Sequence, residues 1–172
     1  MAFNIEQLKN AVRTIARPTL FQVTCSGSII QSLNVPLMQF TCKSAQLPED
    51  TVGKIDVPFY GRKIPFAGDR TYSDWQTTII MDKDYTLYKQ LWSWKQKWNA
   101  GNDNVAVSAN MNDFKADCNI IAYDAMGLPV LNMKLVGAFP YQVQPLDLSW
   151  ENTDTTADLN VTWFFDYVER VD

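Results

Sequence analysis

The stretch Gly53–Trp75, GKIDVPFYGRKIPFAGDRTYSDW, decides how the rest of the chain is read. Ile55, Val57 and Phe59 alternate with Lys54, Asp56 and Pro58 as the residues of a strand do. Pro58 and Pro65 each remove a ladder donor, however, which argues against a central strand. The stretch therefore reads as a projecting β-arm that turns at Tyr60-Gly61 and leaves the main sheet. Ile55, Val57, Phe59, Ile64 and Phe66 give this arm an apolar face that needs a partner.

Upstream, Ile5, Leu8, Val12 and Ile15 recur at helical spacing, so residues 4–15 read as a short N-terminal amphipathic helix ended before Pro18. Leu20 to Cys25 and Leu37 to Lys43 alternate and read as half-buried strands joined through Ser26–Pro36. Leu47-Pro48-Glu49-Asp50 turns the chain into the arm, which occupies residues 47–74 of a single domain spanning 1–172. Downstream, Trp75, Thr77, Ile79 and Met81 return to a buried strand.

The one main α-helix follows. Asp82 or Asp84 caps it, Leu87, Leu91, Trp94 and Trp98 form its stripe with Trp92 at the edge, and Asn99-Ala100-Gly101 stops it. Residues 101–112 are polar and read as a loop. Phe114 to Tyr123, the turn Asp124-Ala125-Met126-Gly127 and the return through Leu131, Met133 and Leu135 make a hairpin. Gly137-Ala138-Phe139-Pro140 reads as an irregular connection to Leu146, Leu148 and Trp150, which alternate with Asp147, Ser149 and Glu151. A last strand runs from Leu159 to Tyr167. The expected fold is mainly β: an antiparallel β-sandwich or barrel with one main helix and the short N-terminal one, whose edges must be closed or paired.

The 172 residues hold no histidine, which removes the commonest general base and metal ligand and every Ser-His or Cys-His arrangement. Phosphate-cradling and nucleophile-elbow motifs are absent from the sequence as well. Asp82 and Asp84 have calcium-loop spacing, but Leu87 and Ser93 stand where such a loop needs Gly and Glu, so capping is the better account. Asp154, Asp158 and Asp166 are the remaining carboxylates that could form a hydrolytic pair. No cofactor, metal or catalytic residue is expected, and the chain reads as a non-enzyme. The 3 cysteines, Cys25, Cys42 and Cys118, lie in alternating apolar runs without a C-x-x-C pair and are expected as free thiols. The formal charge of −4, with the two signs interspersed, offers no groove for nucleic acid or basic membrane patch. No apolar run approaches the roughly 20 residues of a membrane span, and no secretory leader pattern opens the chain, so a cytosolic site of synthesis without membrane insertion is expected.

Ala16-Arg17-Pro18-Thr19-Leu20-Phe21-Gln22-Val23, Cys42-Lys43 with Leu47-Pro48, Arg62-Lys63-Ile64, Ala67-Gly68-Asp69-Arg70-Thr71 with Asp74-Trp75, and Leu146-Asp147-Leu148-Ser149-Trp150 closely resemble the tail tube proteins of contractile-tailed bacteriophages. The likeness covers nearly the whole chain in order, with no alignable match at Ser26–Pro36 and Asn102–Asn112. It implies a structural virion protein. In that family, hexameric rings with a ring-wide β-barrel stack into the hollow inner tube of the tail, the conduit for DNA ejection into the host. The implied partners are copies of itself, the tail sheath protein, baseplate and tube-terminator proteins, and DNA in transient, non-specific passage, with assembly in the host bacterial cytoplasm. The arm is then expected to be the inter-subunit interface through Lys54, Ile55, Val57, Phe59, Tyr60, Arg62, Lys63, Ile64, Phe66, Asp69, Arg70 and Asp74. Lys115, Asp117, Asn119, Asn132 and Lys134 are expected to line the lumen. The competing expectations are the inner tube of a headless contractile device that passes protein, and a monomeric β-barrel holding an apolar ligand.

Overall fold

Runs that alternate apolar and polar residues build nine strands among the described residues: β1 (Phe21–Ser26), β2 (Cys42–Ala45), β3 (Asp50–Phe59), β4 (Arg62–Tyr72), β5 (Trp75–Ile80), β6 (Ala116–Tyr123), β7 (Pro129–Val143), β8 (Asp158–Phe164) and β9 (Tyr167–Arg170). Two helices accompany them, α1 (Val35–Thr41) and α2 (Thr86–Trp98). The computed structural model describes residues 5–6, 18–27, 35–102, 105, 110–146, 148–151 and 155–171. The expected N-terminal helix over 4–15 lies outside them except for Ile5 and Glu6, which are helical.

Seven strands form one antiparallel sheet in the order β1-β6-β7-β8-β5-β2, with β9 on the second side of β7. The sheet is not closed into a barrel: β1 and β2 end the path without pairing each other. β7 is shared by its two halves. Residues 129–138 pair with β6 and 133–136 also with β9, whereas 139–143 pair with β8. Gly137 sits at the changeover in the left-handed region, φ 70°, where a Cβ would strike the Asp166 carboxylate. Gly137-Ala138-Phe139-Pro140 is thus continuous strand, not the irregular connection that its Gly and Pro suggest.

Inward-facing positions of both halves meet in one core. Val23, Cys118, Leu135, Ile79, Leu159, Val161 and Trp163 are all at most 1% exposed, and α2 adds Leu87, Leu91 and Trp94. Its centre is aromatic: Trp75 and Trp163 face each other across β5–β8 with ring centroids 5.7 Å apart, and Trp94 lies 5.8 Å from Trp163. Each buried indole N–H has an acceptor, as burial of a polar group demands. Trp75 donates to the Gln46 carbonyl (2.7 Å), Trp94 to the Phe114 carbonyl (2.7 Å) and Trp163 to the Thr77 hydroxyl (2.9 Å).

Four further expectations are corrected. Leu37–Lys43 is strand only at Cys42-Lys43, the start of β2: Val35–Thr41 is helical, with Thr41 Oγ1 donating to the Leu37 carbonyl at 2.8 Å. Met38 is buried but Phe40 is 81% exposed, so the apparent alternation of Met38, Phe40 and Cys42 joined a core residue to a surface one. Cys25 and Cys118 are not free: they stand opposite each other in the β1–β6 register and form a disulfide, leaving Cys42 as the free thiol. Burial pushes the Cys42 thiol up to about 11. The Leu146–Trp150 alternation builds no strand among its described residues, Leu148 being 76% exposed and Trp150 fully so. Finally, the C-terminal run breaks at Phe165-Asp166 and turns away from β5 to place β9 beside β7.

Candidate assembly surface

β3 and β4 form a two-stranded sheet of their own, paired from Asp50↔Tyr72 to Phe59↔Arg62. The hairpin turns at Tyr60 (φ 44°) and Gly61 (φ 77°), two consecutive left-handed residues as a tight hairpin requires. Near its base the register shifts between Val52 and Lys54, with Gly53 facing Gly68 and Asp69. A Cβ on Gly68 would come within 3.1 Å of the Gly53 backbone, so the two glycines allow the strands to close at this irregularity.

Register places the apolar side chains on one face. Ile55 opposes Phe66, Val57 opposes Ile64, and Phe59 stands at the tip opposite Arg62. These five hydrophobic residues are between 43% and 58% exposed, and Tyr60 beside them is 94% exposed. No other such cluster of large side chains lies so open on paired strands among the described residues. The opposite face carries Lys54, Asp56, Pro58, Lys63 and Pro65, with Lys54 paired to Asp56 at 3.0 Å. Arg70 is held by Asp50 at 3.5 Å across the hairpin base. Arg62, Lys63 and Asp69 make no ion pair with any described residue. Asp74 lies beyond the hairpin and accepts a hydrogen bond from the Tyr141 hydroxyl at 3.1 Å, which raises the phenol's pKa.

The second group of expected site residues lies together on the non-core face of β6–β7. Asn119 is in register with Lys134 on β7 and Thr24 on β1, and Lys134 with Glu169 on β9, so the row is polar across four strands. Lys134 pairs with Asp117 at 2.8 Å. Burial pushes the Asp117 carboxyl up, but the hydrogen bond from Lys134 and that from the Gly137 N–H outweigh it and hold the pKa below the ordinary value. Lys115 is paired to Asp166 at 2.7 Å, and Asn132 opposes Ile121. The charges on this face are thus largely neutralised in pairs.

The carboxylates considered for chemistry have other partners. Asp82 Oδ1 accepts the Thr86 N–H at 2.9 Å at the start of α2, and hydrogen bonding from the Thr86 side chain, joined by that N–H, lowers its pKa. Asp158 is bonded to Lys43, which likewise holds its pKa down, and Asp166 to Lys115; Asp154 lies outside the described residues. Among the described residues no group of three or more potential ligands is placed to hold a metal ion, and no helix is long and apolar enough to cross a membrane.

Three features of the surface carried no sequence signal: the partners Asp50 and Asp166, which only register reveals; the exposed side chain of Trp150; and an aromatic cleft of about 300 Å³ at the end of α2, bordered by Trp98, Phe114, Phe139 and Tyr141.

An open antiparallel sheet bearing a hairpin with an uncovered apolar face defines a class of structural subunit. The particular family follows from comparison with known proteins. The family model described as phage tail tube protein matches residues 2–169, so the chain belongs to the phage tail tube protein family, whose members are structural components of phage or phage-like particles and not enzymes. It is 32% identical over 155 residues to the tail tube protein gp19 of Enterobacteria phage T4, covering 90% of this chain and 91% of that protein. It is 29% identical to the tail tube protein of Serratia phage KSP90, covering 81% and 76% respectively. The fold is shared with a chain of the anti-feeding prophage baseplate (TM-score 0.69, 15% identity, 92% of this chain and 96% of that one). It is shared also with a chain of the sheath-tube complex of an extracellular contractile injection system (TM-score 0.67, 14% identity, 99% of each).

Proposed function

We propose that this protein forms hexameric rings that stack into the hollow inner tube of a contractile phage tail, through which genome DNA passes into the host. The observation that carries the reading is the free-standing β3–β4 hairpin, whose Ile55, Val57, Phe59, Ile64 and Phe66 face is uncovered in the single chain. Covering it with a neighbouring subunit removes apolar surface from water at about 25 cal/mol per Å². Continuing the open edges of the main sheet into adjacent copies satisfies their unpaired backbone groups. Obligate interfaces of this kind commonly bury about 2,000 Å² or more. In this reading Lys54, Tyr60, Arg62, Lys63, Asp69 and Arg70 set register at the contact, where charges contribute more to specificity than to raw affinity.

Asp74 joins them from the foot of the hairpin, where it is bonded to Tyr141 within its own chain. Lys115, Asp117, Asn119, Asn132 and Lys134 line the lumen. Their internal pairing and the net charge of −4 suit a conduit that must not hold phosphate. Six-fold order and contacts with sheath, baseplate and terminator proteins are supported by the fold shared with chains of a six-fold symmetrised baseplate, a sheath-tube complex and a tube terminator. Assembly takes place in the host cytoplasm.

Negative-stain microscopy of protein concentrated or seeded with tail baseplates tests the reading. Rings with a central hole or rods of stacked rings are expected; unassembled particles under both conditions would sink it. A second reading, the tube of a headless device that passes protein, draws on the fold shared with the anti-feeding prophage and extracellular injection systems. Neighbouring capsid and terminase genes favour the phage tail, and their absence the headless device.

A further inference from the structure

Two surface features at a distance in sequence complement each other. One is the cleft of about 300 Å³ between the last turns of α2 and the start of the β8-paired half of β7. Its walls are aromatic: Trp98 meets Phe114 edge-on (5.0 Å) and stacks against Phe139 (6.2 Å), and Tyr141 stacks on Phe164 (4.1 Å). Lys95 borders it and Lys97 follows in the same last turn, so the cleft is apolar inside and basic at its edge. The other feature is Trp150, fully exposed on a loop where Leu148 is also 76% exposed, and flanked in sequence by Asp147, Glu151 and Asp154. Being fully exposed, Trp150 is not seated in the cleft of its own chain.

We propose that the α2 cleft receives Trp150 of a second copy of this chain, with Glu151 beside that tryptophan meeting Lys95. A projecting apolar group and a complementary pocket elsewhere on the same molecule make a heterologous contact, the kind that propagates into rings or filaments. Exposed tryptophans entering desolvated pockets are the residues that dominate such interfaces. Charge selects this occupant over the two other most exposed aromatics, Tyr60 and Phe40: the first continues into Arg62-Lys63 and the second is followed by Lys43, so each would bring positive charge against Lys95. The inference rests on the proposed tube assembly and names one contact within it.

The test uses the full chain in seeded assembly. Trp150→Ala should stay folded, with an unchanged circular dichroism melt because the side chain is fully exposed in the monomer, and should raise the critical concentration for tubes at least about tenfold. Lys95→Glu should impair assembly and Glu151→Lys added to it should restore it. Ser149→Cys in one subunit population and Gln96→Cys in another, both keeping Trp150, should yield a disulfide-linked dimer on oxidation of assembled protein. Wild-type protein that fails to form tubes would overturn the assembly reading itself. Wild-type tubes alongside normal assembly of Trp150→Ala, or cross-linking of Gln96→Cys to Tyr60→Cys and not to Ser149→Cys, would overturn this contact alone.

Discussion

At the scale of single residues, the aromatic centre of the core depends on one side-chain hydrogen bond that the sequence only half discloses. Alternation marks Thr77 and Trp163 as inward residues, but only the β5–β8 register, which sets Thr77 beside Val161 and Trp75 opposite Trp163, shows why a polar residue is tolerated there. Thr77 is 2% exposed and its hydroxyl accepts the Trp163 indole N–H at 2.9 Å. Thr77→Val keeps the shape and leaves that donor unsatisfied, so a loss of about 1–3 kcal/mol in urea unfolding is expected; Thr77→Ser should lose less.

Acid stability is a second prediction at this scale. Asp82, Asp117 and Asp158 all have folded pKa values below the ordinary 3.8. A depressed carboxylate contributes stability above its unfolded pKa and loses it as pH falls through the folded value. The melting temperature should therefore hold near neutral pH and fall below about pH 4. Asp158→Asn should flatten that fall while costing about 1 kcal/mol or less at pH 7, because its partner Lys43 is half exposed. An unchanged acid slope in Asp158→Asn would remove Lys43–Asp158 from the account.

At the scale of elements, the hairpin was legible because its signals are local: period-two apolar residues, prolines that exclude a central strand, and Tyr60-Gly61 for the turn. Helix α1 was not, because seven residues give one helical turn or two, and Phe40 happened to complete a false alternation. The long β7 was missed for the opposite reason. Gly137 and Pro140 are breakers in a flat strand, yet here the glycine supplies the left-handed residue that lets one strand serve both halves of the sheet. None of the buried core residues belongs to β3 or β4. Deleting Pro58–Pro65 should accordingly leave a folded monomer with a melting temperature within a few degrees of the parent and no tubes by microscopy.

Arg70→Glu should also block assembly, and the Asp50 pairing suggests how. If Arg70 acts by fixing the hairpin base, the exchange Asp50→Arg with Arg70→Asp will restore tubes. If it acts on a neighbouring subunit, the exchanged protein will remain monomeric. Normal tubes from Arg70→Glu alone would refute a role for this residue in assembly.

At the scale of the whole molecule, composition limited the choices: the sequence without histidine lacks the commonest general base, and its interspersed charges offer no basic groove. Composition could not say where the charges face, since that depends on register across β1, β6, β7 and β9. The row Thr24, Asn119, Lys134 and Glu169 is polar and nearly neutral, with Lys134 further tied to Asp117. If this row faces the lumen, each position recurs in every subunit, so a small change in one chain becomes a ring of charge repeated along the tube. Asn119→Lys adds positive charge without breaking an observed ion pair, and Asn119 lies on the side of β6 away from the core. Tubes should form normally. Phosphate passing within about 10 Å, the screening length near 0.1 M salt, would be held by the added rings. DNA ejection from phage carrying Asn119→Lys, followed by dye fluorescence, should be slowed severalfold at low ionic strength and recover as salt is raised. Ejection at the parental rate from fully assembled particles would place this face away from the lumen.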